Sequence, residues 1–188
     1  MILHSNHLNI KPLSLSELKT YIRSRNHFER LNSLSVTNEE LADAYCEEIM
    51  ETISSHQQAW QNKNTDYLFF TLWLIIEKKS NTIVGQFTFN GKPNSEGEVE
   101  IFFSIDEQHR RKGFGFEATE AILKWASENE LFKVVLVEAF RENDAAKASL
   151  KKLGFHKIIT NDDDPPSSKY YKVVTSKKFN SSDLDFDE

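Results

Sequence analysis

The chain has 188 residues, of which 39% are hydrophobic, including fourteen Phe and three Trp, so it can build one domain with a sizeable core. Its net charge of −6 argues against general nucleic-acid binding, which uses a broad basic face. No run approaches the ~18 apolar residues of a membrane helix, the N-terminal Met1-Ile-Leu-His-Ser-Asn has no signal-peptide pattern, and the single Cys46 excludes an intramolecular disulfide and fits a reducing cytoplasm.

In chain order, His7–Ile10 reads as a short first strand closed by Pro12, and Ser14 or Ser16 can cap a helix over about 15–24. Asn32–Thr37 is polar and turn-like. Thr37 with Glu40 makes a capping-box candidate for one long helix running to Gln61, with Leu41, Tyr45, Ile49 and Ile53 at helical spacing. Cys46 lies beside that stripe and is expected to pack rather than react. Tyr67–Glu77 reads as a strand, Lys78–Asn81 as a hairpin turn, Thr82–Asn90 as a second strand and Gly91–Gly97 as a loop.

Val99, Ile101, Phe103 and Ile105 then alternate with Glu98, Glu100, Phe102 and Ser104, as in a strand. Next comes Arg110-Arg111-Lys112-Gly113-Phe114-Gly115, three cations beside two glycines. It leads into a helix whose inner stripe is Ala118, Ala121, Ile122, Trp125 and Ala126. The valine-rich run Phe132–Phe140 reads as a buried strand. Asn143 can cap a helix with Ala146, Leu150 and Leu153 on its inner face, and Gly154 stands just beyond its end. Phe155–Thr160 and Tyr170–Thr175 read as a terminal strand pair linked by Asn161–Lys169, where Asp162, Asp163 and Asp164 form a solvated turn. The Ser/Asp-rich end at 179–188 lacks periodicity and is expected to be disordered, leaving one domain over 1–178. The element order predicts an α/β fold with a mixed, largely antiparallel sheet. Its one parallel, right-handed βαβ crossover joins strands 98–105 and 132–140.

A basic glycine loop at a helix start is suited to an anion, because backbone N–H groups can converge there and the helix adds its positive end. A P-loop is excluded, since Phe116 and Glu117 follow Gly115 where Lys and Ser/Thr are required. A dinucleotide fingerprint is met only in part: Ala118 takes its third glycine position and Glu138 falls near the acidic one, but the loop comes late in the chain.

Arg110-x-x-Gly113-x-Gly115 resembles the acyl-CoA pyrophosphate loop of the GNAT (GCN5-related) N-acetyltransferases. Glu117-Ala118 resembles the start of that family's central helix. Asn143 through Gly154-Phe155 resembles its N-x-x-[SA]…G-F segment, with the expected eleven-residue step from Asn143 to Gly154. The resemblance covers roughly residues 8–175 and is strongest to the branch containing the ribosomal-protein N-terminal acetyltransferases. It implies acetyl-CoA as co-substrate, held by Arg110, Arg111, Lys112, Gly113, Phe114, Gly115 and Asn143. It also implies that Phe103 and Ile105 on the strand line the cofactor, with backbone N–H groups near Phe103 as oxyanion donors. The pantetheine arm would lie where the two parallel strands splay apart.

Acetyl transfer to an amine needs a proton acceptor, an oxyanion donor and a proton for the leaving thiolate. Glu100 is the candidate acceptor, corresponding to a frequent acidic position in the family, with Phe102 and Phe103 expected to desolvate it; Glu98 is the lesser candidate. The acid departs from the family pattern: Ala146 stands where Ser is common and Leu150 where Tyr is common, so either Tyr170 or Tyr171 substitutes or the thiolate leaves without a dedicated acid, taking a proton from the substrate ammonium or water. The six histidines show no metal-ligand spacing, and no metal is expected. The expected protein is a cytoplasmic N-acetyltransferase, monomer or homodimer, acting on an amine acceptor and independent of membrane and nucleic acid. The competing expectation is a non-catalytic acyl-CoA-binding module.

Overall fold

The structure is a computed structural model that describes residues 1–61, 65–159 and 167–174. The Asp162–Asp164 turn and the tail 179–188 therefore lie outside the described residues. Among the described residues eight strands form one sheet: β1 (Leu3–His4), β2 (Leu8–Pro12), β3 (Trp73–Glu77), β4 (Thr82–Phe89), β5 (Glu98–Ile105), β6 (Val134–Phe140), β7 (His156–Lys157) and β8 (Ser167–Val173). Their spatial order is β1-β2-β3-β4-β5-β6-β8-β7. Every neighbouring pair is antiparallel except β5 with β6, which is parallel. This is the mixed, largely antiparallel α/β sheet with one βαβ crossover that the element order predicts. It also removes the dinucleotide reading, which needs a doubly wound parallel sheet.

Among the described residues six helices flank the sheet: α1 (Leu15–Arg23), α2 (Arg25–Leu31), α3 (Asp43–Ser55), α4 (Gln57–Gln61), α5 (Phe114–Ser127) and α6 (Asp144–Lys152). On one face, Leu18 and Tyr21 of α1, Phe28 of α2, and Ile49 and Ile53 of α3 pack on Leu72, Leu74, Ile76 and Ile83. On the other, Phe114, Ala118, Ile122 and Ala126 of α5 and Leu150 of α6 join Trp73, Ile75, Phe87, Phe89, Val99, Ile101, Val135 and Val137. The buried Trp73 indole N–H donates to Leu68 O at 2.8 Å, which meets its one polar requirement.

Between the two serine candidates, Ser14 caps α1. Glu17 three residues on completes a capping box, its carboxylate accepting the Ser14 N–H at 2.9 Å.

Several sequence expectations are corrected. Thr37 does not open a helix: its N–H and Oγ1 donate to Glu29 at 2.9 and 2.8 Å. The helix begins instead at Asp43, after an Ala42 that makes no side-chain cap, and breaks at His56 into α3 and α4. The expected strand Tyr67–Glu77 starts only at Trp73, because Thr65–Phe69 coils into a 3₁₀ turn. A short apolar run carries no periodicity that separates these two states. Helix α2 escapes a hydrophobic-stripe reading because its inward face includes Arg25 and Glu29. The terminal pair differs from expectation: β7 is limited to His156–Lys157, and β8 already begins at Ser167, inside the expected link.

Candidate active site

β5 and β6 pair only from Glu98↔Val134 to Ile101↔Val137, although β5 continues to Ile105 and β6 to Phe140. Their outer neighbours do not share this early end: β4 pairs with β5 to Gly85↔Ile105, and β8 follows β6 to Phe140↔Ser167. The sheet therefore opens between two strands that each remain anchored on the far side. Asn90 N–H donates to Glu100 O and Asp106 N–H to Val84 O, so even-numbered residues of β5 bond toward β4. The odd-numbered ones turn toward β6, which places the Phe103 and Ile105 N–H groups beyond the end of the β5–β6 ladder.

The basic loop follows directly. After a 3₁₀ turn over Glu107–His109, Arg111 and Gly113 both take left-handed backbone, with φ of 63° and 85°. Gly113 is the N-cap of α5, and the first backbone bond into it is Glu117 N–H to Gly113 O at 3.0 Å. The earlier amides of the helix have no intrahelical acceptor, as at any helix start. A Cβ added at Gly113 would meet nothing within 4 Å, so the space beside Gly113 itself is open. Arg110, Arg111 and Lys112 are exposed there. Arg110 Nε folds back on Ile105 O at 3.1 Å. Phe114 is buried and fixes the helix end to the core, while Gly115 sits against Phe103 and Ile105. Open amides, left-handed turns and three cations fit a pyrophosphate, and the adjacent gap fits a slender chain leading from it.

The site's other wall is the face of β5, β6 and β8 that α1–α3 leave uncovered. Glu100, side-chain exposure 14%, points there. Its Oε2 accepts from Asn90 Nδ2 at 3.1 Å. Its Oε1 lies 3.2 Å from Lys169 Nζ, yet this buried oxygen has no aligned hydrogen-bond donor. The polar pair Asn90 and Lys169 thus flanks Glu100, while Phe102 is 46% exposed and Phe103 lies on the opposite face. Glu98 is tied to its own loop through Asn94 Nδ2 at 2.9 Å. Glu138 accepts from Ser167 Oγ on the same open face.

The candidate acids separate. Leu150 is buried in the core and Ala146 packs partly against it, so that helix face serves packing. Tyr170 is buried too, whereas Tyr171 sits on the Glu100 side, in register with Leu136, and its ring lies 5.4 Å from His156. Asn143 caps α6, its Oδ1 accepting Ala146 N–H at 3.1 Å. Among the described residues no group of three or more His, Cys, Asp or Glu is placed to hold a metal ion.

The sequence profile of the acetyltransferase (GNAT) domain matches residues 7–156. The chain belongs to the GNAT acetyltransferases. A curated relative, the uncharacterized N-acetyltransferase YjdG of Bacillus subtilis, is 34% identical over 93 residues, half of this chain and 55% of that protein's length. RimL, a ribosomal L7/L12 α-N-protein acetyltransferase solved with CoA, superposes with a TM-score of 0.62 at 14% identity over 93% of this chain and 98% of that one. The ribosomal-protein-S5-alanine acetyltransferase of Vibrio fischeri gives 0.60 at 12% over 93% and 97%. FdhC, a nucleotide-linked sugar GNAT, gives 0.61 at 13% over 92% and 90%. At these identities the shared property is the fold, and the fold serves ribosomal-protein and sugar acetyltransferases alike.

Within this GNAT frame, the sequence singles out the loop, the strand and Glu100 as candidates, whereas Asn90 and Lys169 beside Glu100, and the buried Arg25, do not stand out in it. Asn90 carries a weak signal, as the last polar residue of a strand facing Glu100 in a hairpin. Lys169 has none, since its reach to Glu100 crosses β6. Arg25 is legible only through its i,i+4 spacing to Glu29.

Proposed function

We propose that this GNAT transfers an acetyl group from acetyl-CoA to a primary amine by direct attack, acting in the cytoplasm. The observation that carries the reading is the gap between β5 and β6 opening straight onto the Gly113 loop. It offers a continuous track for a pyrophosphate followed by a thin arm. Acetyl-CoA would supply the thioester. Gly113, Phe114 and Gly115 would hold its phosphates with Arg110, Arg111 and Lys112, and the Phe103 N–H would donate to the carbonyl oxygen as negative charge develops there. Asn143, already the α6 cap, would contact the arm with its amide nitrogen.

The acceptor would lie on the open face of β5, β6 and β8. Its ammonium proton passes to the buried Glu100 Oε1, the freed amine forms the C–N bond, and the C–S bond breaks. The leaving thiolate takes a proton from solvent or from Tyr171. Glu100 and Glu138 on that face favour a cationic acceptor such as a peptide N-terminus or a small amine. Thiol release from acetyl-CoA across a panel of amines and peptides tests this; CoA binding without turnover on any of them would sink it. Gly113→Asp is expected to weaken CoA binding at least about tenfold, since it sets a carboxylate into an anion cradle, and unchanged affinity would count against the loop assignment.

A second reading, a non-catalytic acyl-CoA-binding module, is favoured by one observation: the positions where the family commonly carries Ser and Tyr hold Ala146 and a core-buried Leu150. Turnover on any amine eliminates it.

A further inference from the structure

Beneath the turn that joins β5 to the cofactor loop lies a charge cluster that acetyl transfer itself does not use. Arg25, the first residue of α2, is 7% exposed, and Glu29 one turn later is 0% exposed. Arg25 Nε donates to Glu29 Oε1 at 3.1 Å, while its Nη2 donates to Asp106 Oδ2 at 2.9 Å and reaches Ile83 O at 3.4 Å. Glu29 is filled further by the N–H and hydroxyl of Thr37. One buried guanidinium thus serves two carboxylates and a β4 carbonyl, bringing together α2, the start of β4 and the end of β5.

Asp106 is the residue at which the chain leaves the sheet for the loop. Its N–H donates to Val84 O at 3.0 Å and its carbonyl accepts His109 N–H at 2.8 Å. Between it and Gly113 the chain is held by Arg110 on Ile105 O and by Gln108 Nε2, which donates to Glu39 Oε1 at 3.1 Å. Asp106 is therefore the inner anchor of the turn carrying all three loop cations. Burying such charges is costly, and apolar replacements of buried ion pairs are often as stable. What the cluster supplies is direction: a guanidinium fork fixes its partners at set angles.

We infer that Arg25, acting through Asp106, is a positioning residue for the CoA pyrophosphate loop. It holds the loop at the correct height above the β5–β6 gap. This rests on the CoA reading above.

The experiment is a CoA titration and steady-state kinetics on the full chain, wild type against Asp106→Ala, Asp106→Asn and Arg25→Lys. Asp106→Ala leaves the Arg25–Glu29 pair intact, so the fold keeps its buried charges matched. It is expected to raise the CoA Kd and the KM for acetyl-CoA about tenfold, with the acceptor KM and the urea midpoint little changed. Asp106→Asn keeps an oxygen for Nη2 and recovers most of the affinity. Arg25→Lys keeps the charge, loses the fork and shows the same shift as Asp106→Ala. A lowered urea midpoint with CoA affinity within twofold of wild type would make the cluster purely structural and overturn the inference. If the wild type itself fails to bind CoA, the cofactor reading falls and takes this one with it. Binding by the wild type and equally by every variant sinks this inference alone.

Discussion

β3 and β5 lie two strands apart in the same sheet and bury their residues in opposite styles. In β3, Trp73, Leu74, Ile75 and Ile76 are all buried, because α1–α3 cover one face and α5 the other. In β5 only Val99 and Ile101 are buried, while Glu100 is half-buried and Phe102 is exposed, because among the described residues no helix lies over their face. The covered half carries the hydrophobic stabilisation and needs no gap. The open half gives up burial on one face and ladder bonds beyond Ile101, and it gains a gap and a face with carboxylates. On the proposed reading, stability and chemistry fall to different strands of one sheet.

The comparison can be broken by moving each property to the wrong half. Trp73→Ala should cost about 3–5 kcal/mol in urea unfolding, as expected for a large fully buried side chain, and a loss below about 1 kcal/mol would show that the covered half is not the stabilising one. Glu100→Gln should lower kcat about a hundredfold with CoA affinity and urea midpoint held, read by thiol release. A stability change with normal kcat would assign Glu100 to packing instead. Phe102→Ala should change stability by less than about 1 kcal/mol while raising the acceptor KM several-fold, and it fails if the acceptor KM stays put.

The smallest effect concerns the seam where β2 meets α5. Glu117 accepts from the His7 N–H at 2.7 Å and its ring Nδ1 at 3.0 Å. Burial alone would raise this carboxyl, but the His7 N–H, the Ser5 hydroxyl and the His7 ring outweigh it and hold it below the usual range. Its folded pKa lies below the unfolded one, so its contribution is fully present above about pH 4.3 and is lost as pH falls through the lowered value. Glu117→Gln should flatten the fall in urea stability between about pH 5 and 3 by under about 1 kcal/mol. An unchanged pH profile would remove the His7 contact as a source.

The sequence exposes the open half better than the covered one. Alternation along 98–105, the glycine loop and the Asn143–Gly154 step each depend on local spacing, and each is where the pattern places it. The covered half misleads for two physical reasons. Apolar runs buried on both faces lose their period, so Tyr67–Leu72 reads as strand although Thr65–Phe69 is a 3₁₀ turn. Buried charges disguise inward faces, so α2 vanishes behind Arg25 and Glu29. The same buried pair takes Thr37 from its expected helix cap. At the site, Lys169 and Asn90 meet Glu100 only through strand order, which no local pattern encodes.

The most direct test is an NMR titration of CoA into the isotopically labelled full chain, following backbone amides. The predicted result is that the largest shifts fall on Phe103, Ile105, Gly113, Phe114 and Gly115, while Leu8–Pro12 and Trp73–Glu77 stay still. Largest shifts in that covered half, or no shifts at all, would contradict the assignment of the β5–β6 gap and its loop as the cofactor track.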